Sequence, residues 1–184
     1  MRRLAAVLAT AALAAGVLTG CGDENWAKKC TTTDGVVECT PAKRPQIQNV
    51  TGDLLDGDPY DVAKERGQVV VVNFWGSWCA PCRAEADDLE KTYRATKAKG
   101  VTFLGVNSRD DRDSALAFER EHVTYPSIYD FDGKVALKFD VTQASTPATL
   151  ILDRQGRIAV AIRQATTATQ LQPLVEKIAD EGNG

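Results

Sequence analysis

Residues 73–85 read NFWGSWCAPCRAE and place two cysteines, Cys79 and Cys82, directly after an apolar run. The run itself, VVVVNFW over residues 69–75, is rich in β-branched residues and continuously apolar, which is typical of a central strand covered on both faces. Residues 81–99 predict a helix, with a proline suited to its first turn and a glycine just past its end. The two cysteines therefore stand where a buried strand gives way to a helix.

This position suits reactive thiol chemistry. The thiolate is the reactive form of cysteine, and the unpaired N–H groups and the dipole at a helix start stabilise negative charge. Cys79 is expected at that start. Cys82 should lie one turn further in, close enough to form a disulfide with Cys79 but less accessible. We expect the exposed Cys79 to form a mixed disulfide with a partner and Cys82 to resolve it.

Other uses of the cysteine pair fit less well. A zinc site would need a second pair of ligands, and a covalently attached haem would need His at the position of Arg83. A purely structural disulfide stays open as an alternative, although a bridge over so short a loop would not need a buried strand aimed at a helix start. We therefore predict no metal site and no bound cofactor, only redox partners.

The first residues predict export. Residues 1–20 have a basic start, an apolar stretch and a small-residue ending before Cys21, which is the layout of a secretory signal and is too short for a spanning helix. The ending LTGC resembles the bacterial lipobox, in which the signal is cut before the cysteine and that cysteine carries a lipid. We expect Cys21 to anchor the chain to the extracytoplasmic face of the cell membrane. An ordinary secretory signal with Cys21 as a bystander is the alternative.

Once Cys21 is set aside, the four other cysteines suggest two pairs, since disulfides persist outside the cytoplasm. Residues 21–46 are polar and predict a tether, and an Asp-Gly turn between Cys30 and Cys39 would bring those two together in a structural disulfide. A second redox-active pair or a metal site is the alternative.

Residues 47–184 suffice for one domain. The net charge of -3 and the scattered basic residues do not support nucleic-acid binding.

Downstream, patterns typical of strands and helices alternate. The predicted elements are a buried strand over 101–107, a helix over about 110–122 with a solvated charged start at 109–113, a short strand, turn and helix over 127–139, a hairpin over 149–162 and a last helix from Thr167. This order predicts one α/β domain with a mixed central sheet flanked by helices.

The stretch FWGSWCAPCRAE, together with VVVVN before it and STPATLILDRQGRI far downstream, resembles the thioredoxin superfamily. More narrowly, it resembles the TlpA-like (ResA/DsbE-like) branch of extracytoplasmic thiol-disulfide oxidoreductases. The resemblance covers about residues 47–179. It implies a thioredoxin-like fold with an insertion between the central strand and helix, here within residues 108–145. It also implies a cis peptide bond before Pro147 that faces the cysteines and leaves the Thr146 backbone free to pair with an extended substrate.

The same resemblance assigns roles near the cysteines. Cys79 matches the attacking residue, Cys82 the resolving residue and Trp78 the aromatic neighbour at the contact surface. Glu85 matches an acidic residue that this branch places near the active site, where a partly buried carboxylate could raise thiol pKa values or relay protons; a solvated residue in the first turns of the helix is the alternative. Asn73 stands where cytoplasmic thioredoxins have a buried Asp, which makes Glu85 the stronger candidate for proton transfer.

These features predict a membrane-tethered thiol-disulfide oxidoreductase. The resemblance suggests that it reduces the disulfides of exported partner proteins, with a membrane electron donor and cytochrome c maturation as a possible setting. Three alternatives remain: an oxidant of the same fold that installs disulfides, a thiol peroxidase, and a binding module with an inert disulfide. The peroxidase reading lacks its usual Pro-x-x-x-Thr-x-x-Cys arrangement, because WGSW precedes Cys79.

Overall fold

The computed structural model describes residues 26–47, 50–141 and 145–181. The predicted signal segment and Cys21 lie outside these ranges. Within them, seven strands form one mixed sheet in the order β1-β2-β9-β8-β5-β6-β7, and β3 pairs with β4 in a separate hairpin. The strands are β1 Thr31–Thr33, β2 Val36–Glu38, β3 Thr51–Asp53, β4 Pro59–Asp61, β5 Val69–Trp75, β6 Val101–Ser108, β7 Ser127–Asp130, β8 Ala148–Leu152 and β9 Ile158–Ile162.

Four α-helices cover the sheet in the described ranges. They are α1 Ala80–Thr96, α2 Arg112–His122, α3 Lys134–Lys138 and α4 Ala168–Asp180. Because side chains alternate along a strand, β5 contributes Val69 and Val71 to a core shared with α1 and α4. The same strand contributes Val70, Val72 and Phe74 to a core on the opposite face, shared with α3. The fold therefore has the three-layer α/β architecture that the sequence predicts.

The strand register brings several loops to one edge of the sheet. Strands β5, β6 and β7 are parallel, and Trp75 pairs with Asn107, which in turn pairs with Tyr129. Their carboxyl ends therefore meet at the edge where α1 begins. Strand β8 runs antiparallel to β5 and pairs Ala148 with Phe74. The start of β8 thus lies at the same edge as the end of β5.

The predicted insertion segment, residues 108–145, contains α2, β7 and α3. Strand β7 extends the sheet beyond β6, and α3 covers one face. The helix predicted from Asp110 begins two residues later, with Asp111 as its N-cap accepting the Ser114 N–H. None of the helices in the described part of the chain combines enough length and apolarity to cross a bilayer.

The hairpin predicted inside the tether forms, and Cys30 and Cys39 are joined in a disulfide across it. It is not part of a free tether, however, because β2 pairs with β9 along the edge of the main sheet. Arg44 strengthens this attachment: its guanidinium is buried and binds Asp153 and Glu181, and it also donates to the Cys39 carbonyl. Residues 30–46 therefore pack as part of the folded domain.

Candidate functional site

Cys79 and Cys82 form a disulfide at the start of α1. Cys79 is the N-cap residue, and its Sγ accepts the backbone N–H of Cys82 at 3.3 Å. Pro81 occupies the first turn, where the absence of an N–H costs nothing. The predicted strand-to-helix placement of the pair is confirmed.

The expected difference in accessibility between the two cysteines is wrong for this disulfide form. Cys79 is 4% exposed and Cys82 is 3% exposed. The reason is packing: both belong to an apolar cluster with Leu55, Trp75 and Ala115. What faces solvent beside them is Trp78, which is 56% exposed. Trp75 packs with the pair in this cluster, and the redox loop, residues 76–79, leads from it to α1.

Glu85, one helical turn after Cys82, is buried and not solvated. Its Oε1 accepts a hydrogen bond from Asn73 Nδ2 at 2.9 Å, and its Oε2 accepts the backbone N–H of Thr166 at 2.8 Å. Burial raises the pKa of Glu85 to about 7, although these two hydrogen bonds act in the opposite direction. The carboxyl group can therefore gain or lose a proton near neutrality, as a proton carrier must.

Asn73 holds this carboxyl group from the central strand. It is buried in β5, and its Nδ2 also lies 3.1 Å from Thr149 Oγ1 on β8. The amide therefore links the strand, the start of the hairpin and α1. Thr166 was missed at the sequence level, because its contact is made by a backbone N–H that no side-chain pattern reveals.

The peptide bond between Thr146 and Pro147 is cis, as the resemblance implies. Pro147 directly precedes Ala148, which pairs with Phe74 near the end of β5. This register brings the bond to the edge of the sheet that carries the cysteines. The role of Thr146 and Pro147 in substrate binding remains a prediction.

A second set of residues at this edge was also missed. Asp110 was expected in a solvated helix start, but it is 5% exposed and binds Ser77 in the redox loop. The clue available in the sequence is position: Asp110 comes shortly after the buried strand predicted over residues 101–107. His122, the only histidine, stacks on Phe118 at the end of α2 and lies 3.6 Å from Asp87.

The described residues contain no group of three or more His, Cys, Asp or Glu side chains arranged to hold a metal ion. The chemistry available at the edge of the sheet consists of a sulfur pair at a helix start and a buried acid that titrates near neutrality. Such a pair can exchange electrons two at a time with another dithiol or disulfide.

Comparison with known proteins gives the same picture. A family model described as Redoxin matches residues 42–177. The chain is 32% identical over 143 residues to the thiol:disulfide interchange protein DsbE of Pseudomonas aeruginosa, covering 74% of this chain and 73% of that protein. It is 30% identical over 125 residues to the thiol-disulfide oxidoreductase ResA of Geobacillus kaustophilus, covering 67% of this chain and 71% of that protein.

Among solved structures, a secreted thiol-disulfide isomerase from Corynebacterium glutamicum is similar, with a TM-score of 0.76 and 33% identity over 82% of this chain and 96% of that one. Fold, cysteine geometry and sequence similarity thus lead to one conclusion. The chain belongs to the Redoxin family and is a thiol-disulfide oxidoreductase of the ResA and DsbE type, built on the thioredoxin fold.

Proposed function

We propose that Cys79 and Cys82 exchange disulfides with exported protein partners and that the chain acts as a reductase. The observation that carries the proposal is the position of Cys79 Sγ, which caps α1 and accepts the N–H of Cys82. In the dithiol form, the same N–H and the helix dipole stabilise a thiolate on Cys79. Cys82 is held one turn away, within reach of Cys79 Sγ.

The reaction proceeds in two balanced steps. The Cys79 thiolate attacks one sulfur of the partner disulfide, forms a mixed disulfide and releases a partner thiolate. Cys82 then loses its proton and attacks Cys79 Sγ, which breaks the mixed disulfide and releases the second partner thiolate. Two electrons pass to the partner, and the enzyme is left with the Cys79–Cys82 disulfide. An exported electron donor of the dithiol class must reduce it again.

Glu85 is proposed as the group that accepts the Cys82 proton in the second step. With a pKa raised by burial to about 7, the carboxyl group is ionised often enough at neutral pH to take the proton. Replacing Glu85 with Gln should therefore slow resolution of the mixed disulfide more than its formation.

Partner binding is proposed for the edge of the sheet around the disulfide. Trp78 is exposed there, and Thr146 and Pro147 lie at the same edge. Little of either sulfur faces solvent in the oxidised form, so a partner must approach along the face that Trp78 presents. An extended segment could add its backbone to Thr146, as in other cases of strand addition.

The location is proposed from the first residues. A lipid on Cys21 would hold the domain at the extracytoplasmic face of the membrane, and the similar Corynebacterium protein is described as secreted. A membrane electron donor and a role in cytochrome c maturation fit that location. Replacing Cys21 with Ser should abolish attachment of the lipid, measured by incorporation of a labelled fatty acid, whereas replacing Cys30 with Ser should not.

Trapping tests the exchange itself. A Cys82→Ser variant should accumulate mixed disulfides through Cys79, and mass spectrometry of these adducts would name the partners. A Cys79→Ser variant is the matched control and should trap none. Equal trapping by the two variants, or none by either, would contradict the proposal.

One observation favours a second candidate, an oxidant that installs disulfides. Stabilising the Cys79 thiolate at a helix start stabilises the dithiol form, and this makes a disulfide more oxidising. Equilibration with glutathione separates the two candidates. A potential below that of the glutathione couple supports the reductase, and a potential well above it supports the oxidant.

A further inference from the structure

Asp110 lies in the loop between β6 and α2 and contacts the redox loop directly. Its Oδ2 accepts the backbone N–H of Ser77 at 2.5 Å, and its Oδ1 accepts the Ser77 hydroxyl at 2.7 Å. Asn107 Nδ2 donates a third hydrogen bond to Oδ2 at 2.8 Å. Two of these three hydrogen bonds come from the loop that ends in Cys79, although Asp110 is 33 residues away from Ser77 in sequence.

The loop that carries Asp110 is itself firmly held. The Tyr129 hydroxyl donates to the Asp110 carbonyl at 3.0 Å, and Asn107 pairs in register with both Trp75 and Tyr129. A further bond joins the same two loops, since Trp78 Nε1 donates to the Ser108 carbonyl at 3.2 Å. Asp110 therefore ties the redox loop to a rigid part of the sheet.

Only a short link separates this contact from the reacting sulfur. Ser77 precedes Cys79 by two residues, and the Cys79 N–H donates to the Gly76 carbonyl at 3.0 Å. A Cβ on Gly76 would collide with the Trp78 indole, so the turn is already tight. With the Ser77 backbone held at Asp110 and α1 beginning at Ala80, little freedom remains for the Cys79 backbone.

We propose that Asp110 is a positioning residue for the redox pair: acting through Ser77, it holds Cys79 where Cys82 can reach its sulfur. The inference rests on the proposed exchange at these two cysteines. It assigns to Asp110 neither proton transfer nor contact with the partner. Its effect is on the equilibrium between dithiol and disulfide and on the rate at which Cys82 resolves a mixed disulfide.

The expected direction follows from conformational freedom. The disulfide itself restrains residues 79–82, whereas the dithiol depends on its surroundings for the same restraint. Loosening the loop therefore gives freedom mainly to the dithiol and shifts the equilibrium toward it. Removing the acceptor also leaves a buried donor on Asn107 and partly buried donors on Ser77 without this partner. We expect the equilibrium constant for disulfide formation to fall about tenfold, which is about 30 mV for a two-electron couple.

Three variants of the full-length chain and one control test this. Asp110→Ala removes all three hydrogen bonds, and Ser77→Ala removes only the hydroxyl bond. Asp110→Asn keeps the shape: its oxygen can accept from the Ser77 and Asn107 N–H groups while its amide donates to the Ser77 hydroxyl. The control is Asp111→Ala, which removes the exposed N-cap of α2 and lowers stability without touching the redox loop.

Each protein is equilibrated with mixtures of reduced and oxidised glutathione, and the fraction of Cys79–Cys82 disulfide is measured by alkylation and mass spectrometry. We expect a shift of about tenfold toward the dithiol for Asp110→Ala and a smaller shift in the same direction for Ser77→Ala. Asp110→Asn and Asp111→Ala should stay within twofold of the unaltered chain. Asp110→Ala should also slow the release of a disulfide-bonded peptide from Cys79.

The outcomes are distinguishable. If Asp110→Ala lowers stability but matches Asp111→Ala in the glutathione equilibrium, the role is merely structural and the inference is overturned. If Asp110→Asn shifts the equilibrium as much as Asp110→Ala, the ionisable group and not the positioning is responsible, and the inference is again wrong. If the unaltered chain does not exchange with glutathione at all, the proposed function fails first.

Discussion

The buried carboxyl group of Glu85 makes a strong prediction about how stability depends on pH. Burial raises its pKa from the ordinary 4.5 to about 7 in the folded protein, while the unfolded chain keeps the ordinary value. Between these two pH values the folded state binds more protons than the unfolded state, so the free energy of unfolding falls as pH rises. Well below pH 4.5 and well above pH 7, this group adds no pH dependence to the free energy of unfolding. Each unit of difference is worth 1.36 kcal/mol, which makes the whole loss about 3 kcal/mol.

The test is the Glu85→Gln variant, which has nearly the same shape and cannot ionise. Urea unfolding is followed from pH 5 to pH 8. Both proteins are kept oxidised, because Cys79 and Cys82 do not titrate while they form a disulfide. The unaltered chain should lose about 2–3 kcal/mol more than the variant over this range. Every other ionisable group is present in both proteins, so its contribution cancels in the difference.

The comparison uses the pH dependence because the absolute stability also changes. A glutamine has one oxygen, so it can accept from the Thr166 N–H only if the Asn73 amide reorients to receive its NH₂ group. That adjustment weakens the contacts of Asn73 on β8 and costs on the order of 1 kcal/mol at every pH. Parallel stability curves for the two proteins between pH 5 and pH 8 would refute the raised pKa and, with it, the role proposed for Glu85 at neutral pH.

Three further predictions concern stability. Replacing both Cys30 and Cys39 by Ser should lower the free energy of unfolding in guanidinium chloride by roughly 2–3 kcal/mol, since the closed loop is short. Loss of exchange at Cys79 and Cys82 in this variant would contradict the assignment of the Cys30–Cys39 disulfide as structural. Thr167→Ala removes the N-cap of α4, whose hydroxyl accepts the Gln170 N–H, and should cost about 1 kcal/mol with glutathione exchange unchanged. Leu171→Ala empties a site that is 0% exposed and should cost about 2–5 kcal/mol; a smaller loss in urea unfolding would mean that the surrounding core collapses into the space.

Much of the fold could be predicted because its signals are local. The β-branched run before the cysteines is β5, and the proline and glycine that bracket the next segment mark α1 closely. Thr167, the predicted start of the last helix, caps α4, and the hairpin of β8 and β9 forms around its turn residues. In each case the residues that decide the structure lie within a few positions of one another.

The features that could not be predicted depend on distant parts of the chain. The charged run at residues 109–113 has the composition of a solvated helix start, and nothing within it distinguishes the buried Asp110 from the exposed Asp111. Only the parallel register of β6 against β5 brings Asp110 to Ser77. In the same way, the hairpin at residues 31–38 has no local feature that reveals its pairing with β9.

The amide at position 73 and the acid at position 85 are best understood together. Asn73 Nδ2 is 2.9 Å from Glu85 Oε1, so an aspartate on the strand would place two carboxyl groups in contact within the core. Like charges at that distance disfavour each other, and one of the two would keep its proton well above neutral pH. An amide instead donates to the single acid and opposes the effect of burial, which keeps the Glu85 pKa near 7. The absence of an acid from the strand therefore leaves a single buried acid, Glu85, on the helix that also carries Cys82, and this is the group proposed as the proton carrier.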